Sequence, residues 1–202
     1  MSAWVTLPSS VHRAAIAGKV VDGLDTQRAL AGVVVTITAM PPAFQAIVSA
    51  RSATRPERTI TAADGIFCFA DLPDGAYTLS FALPGGRYGG AKCDVTVARD
   101  AKGDIARAVQ VVALPPTGVR GQVQGRVPGG SPTSLSLARV QVRGSGERAY
   151  GDADGRFTLT GIEAGARVLS LGASGFQPAT ATANVVEGAI VEIASVVLEP
   201  ST

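Results

Sequence analysis

The sequence predicts an all-β protein of two tandem domains, and three observations carry that expectation. The apolar stretches are rich in Val, Ile and Ala, while 24 glycines and 12 prolines interrupt them at short intervals. β-Branched side chains suit a pleated, half-buried surface, and Gly and Pro supply turns while breaking helices. Short strand-like runs recur with turn residues between them, the pattern of a sandwich or barrel. Finally, one half of the chain repeats the other.

The repeat has four landmarks in constant order. Ile16-Ala-Gly-Lys-Val-Val21 reappears as Val119-Arg-Gly-Gln-Val-Gln124, and Leu30-Ala-Gly-Val-Val-Val35 as Leu137-Ala-Arg-Val-Gln-Val142. Ala63-Asp-Gly-Ile-Phe67 returns as Ala153-Asp-Gly-Arg-Phe157, and Leu72-Pro-Asp-Gly-Ala76 as Ile162-Glu-Ala-Gly-Ala166. Such a period is far longer than a solenoid unit, so each copy is expected to be a whole domain. The division is an N-terminal arm 1–14, a first domain 15–114 with an inserted loop 39–58, a linker 115–118, and a second domain 119–202. Pro115-Pro116 marks the junction, because paired prolines remove two amide donors and end the preceding strand.

In the first copy, strands are expected at Val33–Ile37, Ile66–Phe69, Tyr77–Phe81, Cys93–Val97 and Ala108–Leu114. In the second they fall at Phe157–Leu159, Arg167–Leu171, Thr180–Val185 and Val191–Leu198. Asp64-Gly65 precedes one of them, with Gly free to take a positive φ. Phe67 and Phe69 share a face because strand side chains alternate.

These residues resemble the carboxypeptidase regulatory-like domain, a module grouped with transthyretin-like and Cna-B-like sandwiches. The first match runs through Ile16, Gly18, Ala31-Gly32, Thr61, Asp64-Gly65, Phe67, Phe69, Leu72-Pro73, Gly75, Tyr77 and Leu79. The second runs through Gly121, Ala138, Asp154-Gly155, Phe157, Leu159, Ile162, Gly165 and Leu169. The resemblance implies two seven-stranded Greek-key β-sandwiches of the prealbumin-like type. The turn and inward Phe residues are folding devices first, so they are not offered as a site. Cna-B-like relatives carry a Lys–Asn bond made beside a buried acid. Lys19 stands in a suitable strand, but the only Asn is Asn184 in the other copy and Ser80-Phe81 replaces the acid, so neither copy can form that bond. Related sandwiches also bind calcium. Asp71 with Asp74, and Asp152 with Asp154, fall short of the six or more oxygens that ion takes.

No catalytic, cofactor-binding or metal-ligating set emerges, and no enzyme is expected. The one histidine, His12, lies in the N-terminal arm, and no G-x-S-x-G elbow is present. Two cysteines and one histidine make no zinc pattern. Gly85-Gly86-Arg87-Tyr88-Gly89-Gly90 lacks the G-K-[ST] of a phosphate loop and reads as a hairpin tip. A net charge of +2, from 18 basic and 16 acidic residues, argues against nucleic acid. No apolar run is long enough to span a bilayer, and no secretory signal is visible, so the expectation is cytoplasmic synthesis. In a reducing compartment Cys68 and Cys93 are expected as free thiols, with a bridge between neighbouring strands as the alternative.

Other protein subunits remain as the expected partners. Met40, Phe44, Ile47 and Val48 lie in the insert that only the first copy has. They form either a partner-binding loop or a cover folded back over a core end. Trp4 in the arm poses the same choice, and Tyr88 joins them as a candidate anchor, since aromatics and Met are enriched in interface cores. The expected role is structural or adaptor, by analogy in a phage-tail-like or contractile injection particle released after assembly. The alternative is a glycan- or envelope-ligand-binding module using Trp4, Tyr88, Tyr150 or Phe176, although aromatics are only 5% of the chain.

Overall fold

The computed structural model describes residues 13–51, 55–106 and 108–201, and Trp4 and His12 lie outside them. The chain divides into two compact units. Unit one holds the residues up to Val20, Ala29–Ser80 and Lys92–Val112; unit two holds Val21–Arg28, Phe81–Ala91 and everything from Ala113 on. Segments 21–28 and 81–91, placed by the repeat in the first domain, therefore group with the second unit. Their backbone explains why: Gly23 N–H donates to Leu114 O (2.9 Å), Gly89 N–H to Pro115 O (2.8 Å) and Thr117 N–H to Arg87 O (2.9 Å).

The fold is an all-β sandwich written twice. In the first copy β1 (Ala14–Asp22) lies between β4 (Ile66–Ala70) and β8 (Ala108–Leu114). The opposing sheet runs β3 (Arg58–Ile60), β2 (Val34–Ala39), β5 (Gly75–Ala82), β6 (Ala91–Arg99) and β7 (Ile105–Ala106). The second copy repeats the plan. β9 (Gly118–Gly125) lies beside β13 (Arg156–Thr160) and the parallel pieces β16 (Ile190–Glu192) and β17 (Val196–Leu198). A short β10 (Thr133–Ser134) adds to β9. Its opposing sheet runs β12 (Arg148–Tyr150), β11 (Arg139–Val142), β14 (Gly165–Gly172) and β15 (Ala179–Val185).

Alternation builds each core. In β4 the pattern is exposed–buried–exposed–buried–exposed, which turns Phe67 and Phe69 inward. They join Ile16, Val35, Ile37, Leu72, Tyr77 and Leu79. In unit two Val119, Val140, Phe157, Leu159, Ile162, Leu169 and Leu171 do the same. Each such side chain contributes about 1.5–3 kcal/mol on burial. The shared glycines have steric reasons. Gly65 and Gly155 hold φ of 77° and 70° in matching turns. A Cβ at Gly18 would lie 2.3 Å from Gln110 O and 2.7 Å from the Phe67 ring, so only Gly lets these strands close.

Among the described residues one helix breaks the all-β pattern. The insert expected as a loop over 39–58 contains α1 (Pro42–Ala50). Pro41 caps it in extended geometry and Pro42 takes the first turn, where a missing N–H costs nothing. Arg51 N–H closes it on Ile47 O and Val48 O.

Candidate functional site

The insert residues divide by depth. Phe44 is buried and meets Tyr77 edge-on, with ring centroids 5.9 Å apart. Met40, Ile47 and Val48 are half-buried. Spacing of i, i+3 and i+4 puts Phe44, Ile47 and Val48 on one helix face, which here lies toward the body of unit one. A groove of about 580 Å³ remains beside it, lined by Phe44, Ala46, Ile47, Ala50, Pro56 and Ala70 among others. The helix thus serves as a cover for Tyr77 whose margin stays open.

Tyr77 ties a turn as well as filling the core. Its hydroxyl donates to Pro73 O (2.7 Å). Burial, with Asp74 nearby, pushes its pKa up to about 12. At the matching place in unit two, Arg167 Nε donates to Glu163 O (2.9 Å), and its Nη2 meets the Glu163 carboxylate at 3.0 Å. Different side chains make the same i to i−4 tie.

Tyr88, expected at an open hairpin tip, is instead buried. Its hydroxyl donates to Asp22 Oδ2 (2.8 Å), while Asp22 Oδ1 accepts from Leu24 N–H (2.8 Å). Burial and that bond raise the Tyr88 pKa to about 12. Its ring is not available as a platform for a sugar or a partner. Phe176 is half-buried and Tyr150 is exposed.

The cysteines are free and face different ways. Cys68 points outward from β4, between the inward Phe67 and Phe69. Cys93 shares the inward parity of Val95 and Val97 on β6, in the opposing sheet. Burial, then Asp94, pushes the Cys93 thiol up. Lys19 belongs to unit one, and Asn184 is exposed on β15 of unit two. Among the described residues no three His, Cys, Asp or Glu side chains converge as metal ligands, and no helix is long and apolar enough to cross a membrane.

The outer face of the β4–β1–β8 sheet is the feature the motif search missed. Register places Ala17 opposite Cys68 and Lys19 opposite Ile66. Ile66 is 49% exposed, and on β8 Val109 and Val111 are 62% and 71% exposed. Ala70 is exposed too. One lysine thus stands in an apolar strip that crosses three strands. In unit two the matching positions are Arg120 opposite Thr158 and Gln122 opposite Arg156. Gly18 abuts Gln110 and Gly121 abuts Ile193, so Val109 corresponds to Glu192, which pairs with Arg120 at 3.0 Å. The signal for this face was in β8 itself: Ala-Val-Gln-Val-Val-Ala-Leu is apolar at every position of both alternations except Gln110, close to the pattern of strands covered on two sides.

No protein-family model and no curated protein matches the chain. Among solved structures it is similar to the minor pilin of Streptococcus agalactiae, at 13% identity and TM-score 0.36, over 93% of this chain and 96% of that one. It is similar to the shaft pilin SpaA of Lactobacillus rhamnosus GG at 12% identity and TM-score 0.42, over 95% and 99%. A streptococcal ancillary pilin follows at 20% identity and TM-score 0.39, over 92% and 62%. The sandwich assignment rests on the chain's own strands and pairings.

Proposed function

We propose that this chain is a non-catalytic structural or adaptor protein that attaches to other protein subunits through the outer β4–β1–β8 face of unit one. The observation that carries the reading is the contrast between matching faces. The positions that hold Ala17, Ile66, Cys68 and Val109 in one unit hold Arg120, Arg156, Thr158 and Glu192 in the other. Single exposed apolar residues are ordinary, but a contiguous strip marks an interaction surface. The carboxypeptidase regulatory-like reading of the modules is supported by its motif residues, since Phe67, Leu72, Tyr77 and Phe157 all occupy core positions. Nothing in the fold favours a phage-tail-like or contractile injection particle over another assembly.

A photo-crosslinking residue at Val109, introduced in the source cell, tests the reading. The expected product joins this chain to a protein subunit, while the same probe at Thr158 gives none. Equal labelling from both positions, or none from either, contradicts it.

A further inference from the structure

The end of the apolar face is a strand edge. β8 closes the order β4–β1–β8, so one side of its seven residues has no partner strand among the described residues. Sheets protect such edges with charges, prolines, bulges or short strands, because a row of unpaired N–H and C=O groups is a template for another strand. Unit two uses these devices. Its corresponding edge is broken into β16 and β17, carries Glu192 paired with Arg120, and is followed by Glu199 paired with Arg126 and by Pro200. β8 itself carries none of them: Ala108–Leu114 is unbroken and contains no charge, Pro or Gly, although Pro115-Pro116 follow it as Pro200 follows β17.

We propose that β8 pairs antiparallel with β8 of a second copy of this chain, joining two three-stranded sheets across a twofold axis. The inference deepens the reading of unit one as an attachment surface and rests on it. Electrostatics and symmetry select this occupant. A twofold contact brings a patch against itself, so a self-pairing strand must face its own charges. Centred on Val111, the pairing sets Ala108 opposite Leu114, Val109 opposite Ala113 and Gln110 opposite Val112, every partner neutral. Like charges opposite one another would destabilise the pair, and here there are none. Val109, Val111 and Ala113 point outward from the sheet, so pairing doubles the strip and places the two Val111 side chains side by side. β4 is the opposite edge of the sheet, so Cys68 stays open to other subunits.

Sedimentation of the full chain over a concentration series reaching the millimolar range tests the proposal. The expected result is a monomer–dimer equilibrium whose association constant falls about tenfold or more in Val111→Lys, because a lysine blunts the edge and meets its twin. Thr158→Lys, on the matching face of unit two, is expected to leave it unchanged. In a Cys68→Ser, Cys93→Ser background, Val111→Cys is expected to form a disulfide-linked dimer on mild oxidation. A wild-type monomer throughout, equal effects of the two lysines, or no crosslink at Val111→Cys would overturn the pairing. So would a dimer abolished by removing residues 1–12 but indifferent to Val111→Lys, since another segment would then be the occupant. None of these failures touches crosslinking from Val109 to a different subunit, which tests the attachment reading separately.

Discussion

The two units share a core and differ on the surface. Phe67 and Phe157 enter their cores from matching strands, and Gly65 and Gly155 turn the chain at the same place. Yet Ala17, Cys68 and Ile66 face outward in one where Arg120, Thr158 and Arg156 face outward in the other. Packing constrains the inward positions of both copies equally, because a core tolerates little change in volume. Outward positions are free of that demand, so their divergence reports what each face meets. An apolar strip left in water has no folding reason, whereas the ion-paired face of unit two is at home there. This contrast is what the proposed attachment through unit one rests on.

Core truncation should break both units alike and gives the largest effect. Phe67→Ala and Phe157→Ala are each expected to lose about 3–5 kcal/mol in urea unfolding. A much smaller loss in one would show that the cores are not equivalent.

The glycines should separate the units. At Gly18 an added methyl meets backbone, Gln110 O at 2.3 Å, whereas at Gly121 its nearest neighbour is the Ile193 side chain at 2.8 Å. Overpacking costs about 1–3 kcal/mol, and a side chain can move more easily than a strand. Gly18→Ala is therefore expected to destabilise more than Gly121→Ala by thermal melting.

The turn ties give a smaller effect with a pH signature. Tyr77→Phe should cost about 0.5–1.5 kcal/mol for one hydrogen bond. Tyr77 and Tyr88 ionise near 12 when folded against 10.0 ordinarily, so the folded chain holds those protons longer. Their contribution is complete below pH 10 and is lost as pH rises toward 12. Tyr77→Phe and Tyr88→Phe should each flatten the alkaline fall in denaturant stability over that window. An unchanged slope in both would show that neither hydroxyl is held as described.

The smallest effect belongs to the surface. Val111→Lys, at a side chain 71% exposed, should alter the stability of the monomer by less than about 0.5 kcal/mol.

Much of the fold was legible because its signals are local. The D-G turns, the alternation in Ile66–Ala70 and the repeated landmarks each depend on a few neighbouring residues. The helix was also written locally, in Pro41-Pro42 followed by apolar residues at 44, 47 and 48, but the same prolines read equally as loop breakers. Tyr88 could not be placed from its Gly-rich surroundings, since its depth depends on Asp22, far away in sequence. The apolar face was half visible: apart from Gln110, β8 is apolar at both alternations, which says that two faces want cover. Whether the fold supplies the second cover is a tertiary fact, and among the described residues none lies over the outer side of β8.

Cys68 and Thr158 occupy matching outward positions on β4 and β13, so thiol reactivity compares the two faces directly. The decisive measurement is the rate of alkylation at Cys68 and at a Thr158→Cys probe, in the purified chain and in gently lysed source cells. The account predicts that both thiols react readily when purified, and that in the lysate Cys68 is protected while the Thr158→Cys thiol is not. Equal reactivity of the two in the lysate would contradict the claim that unit one carries the attachment face.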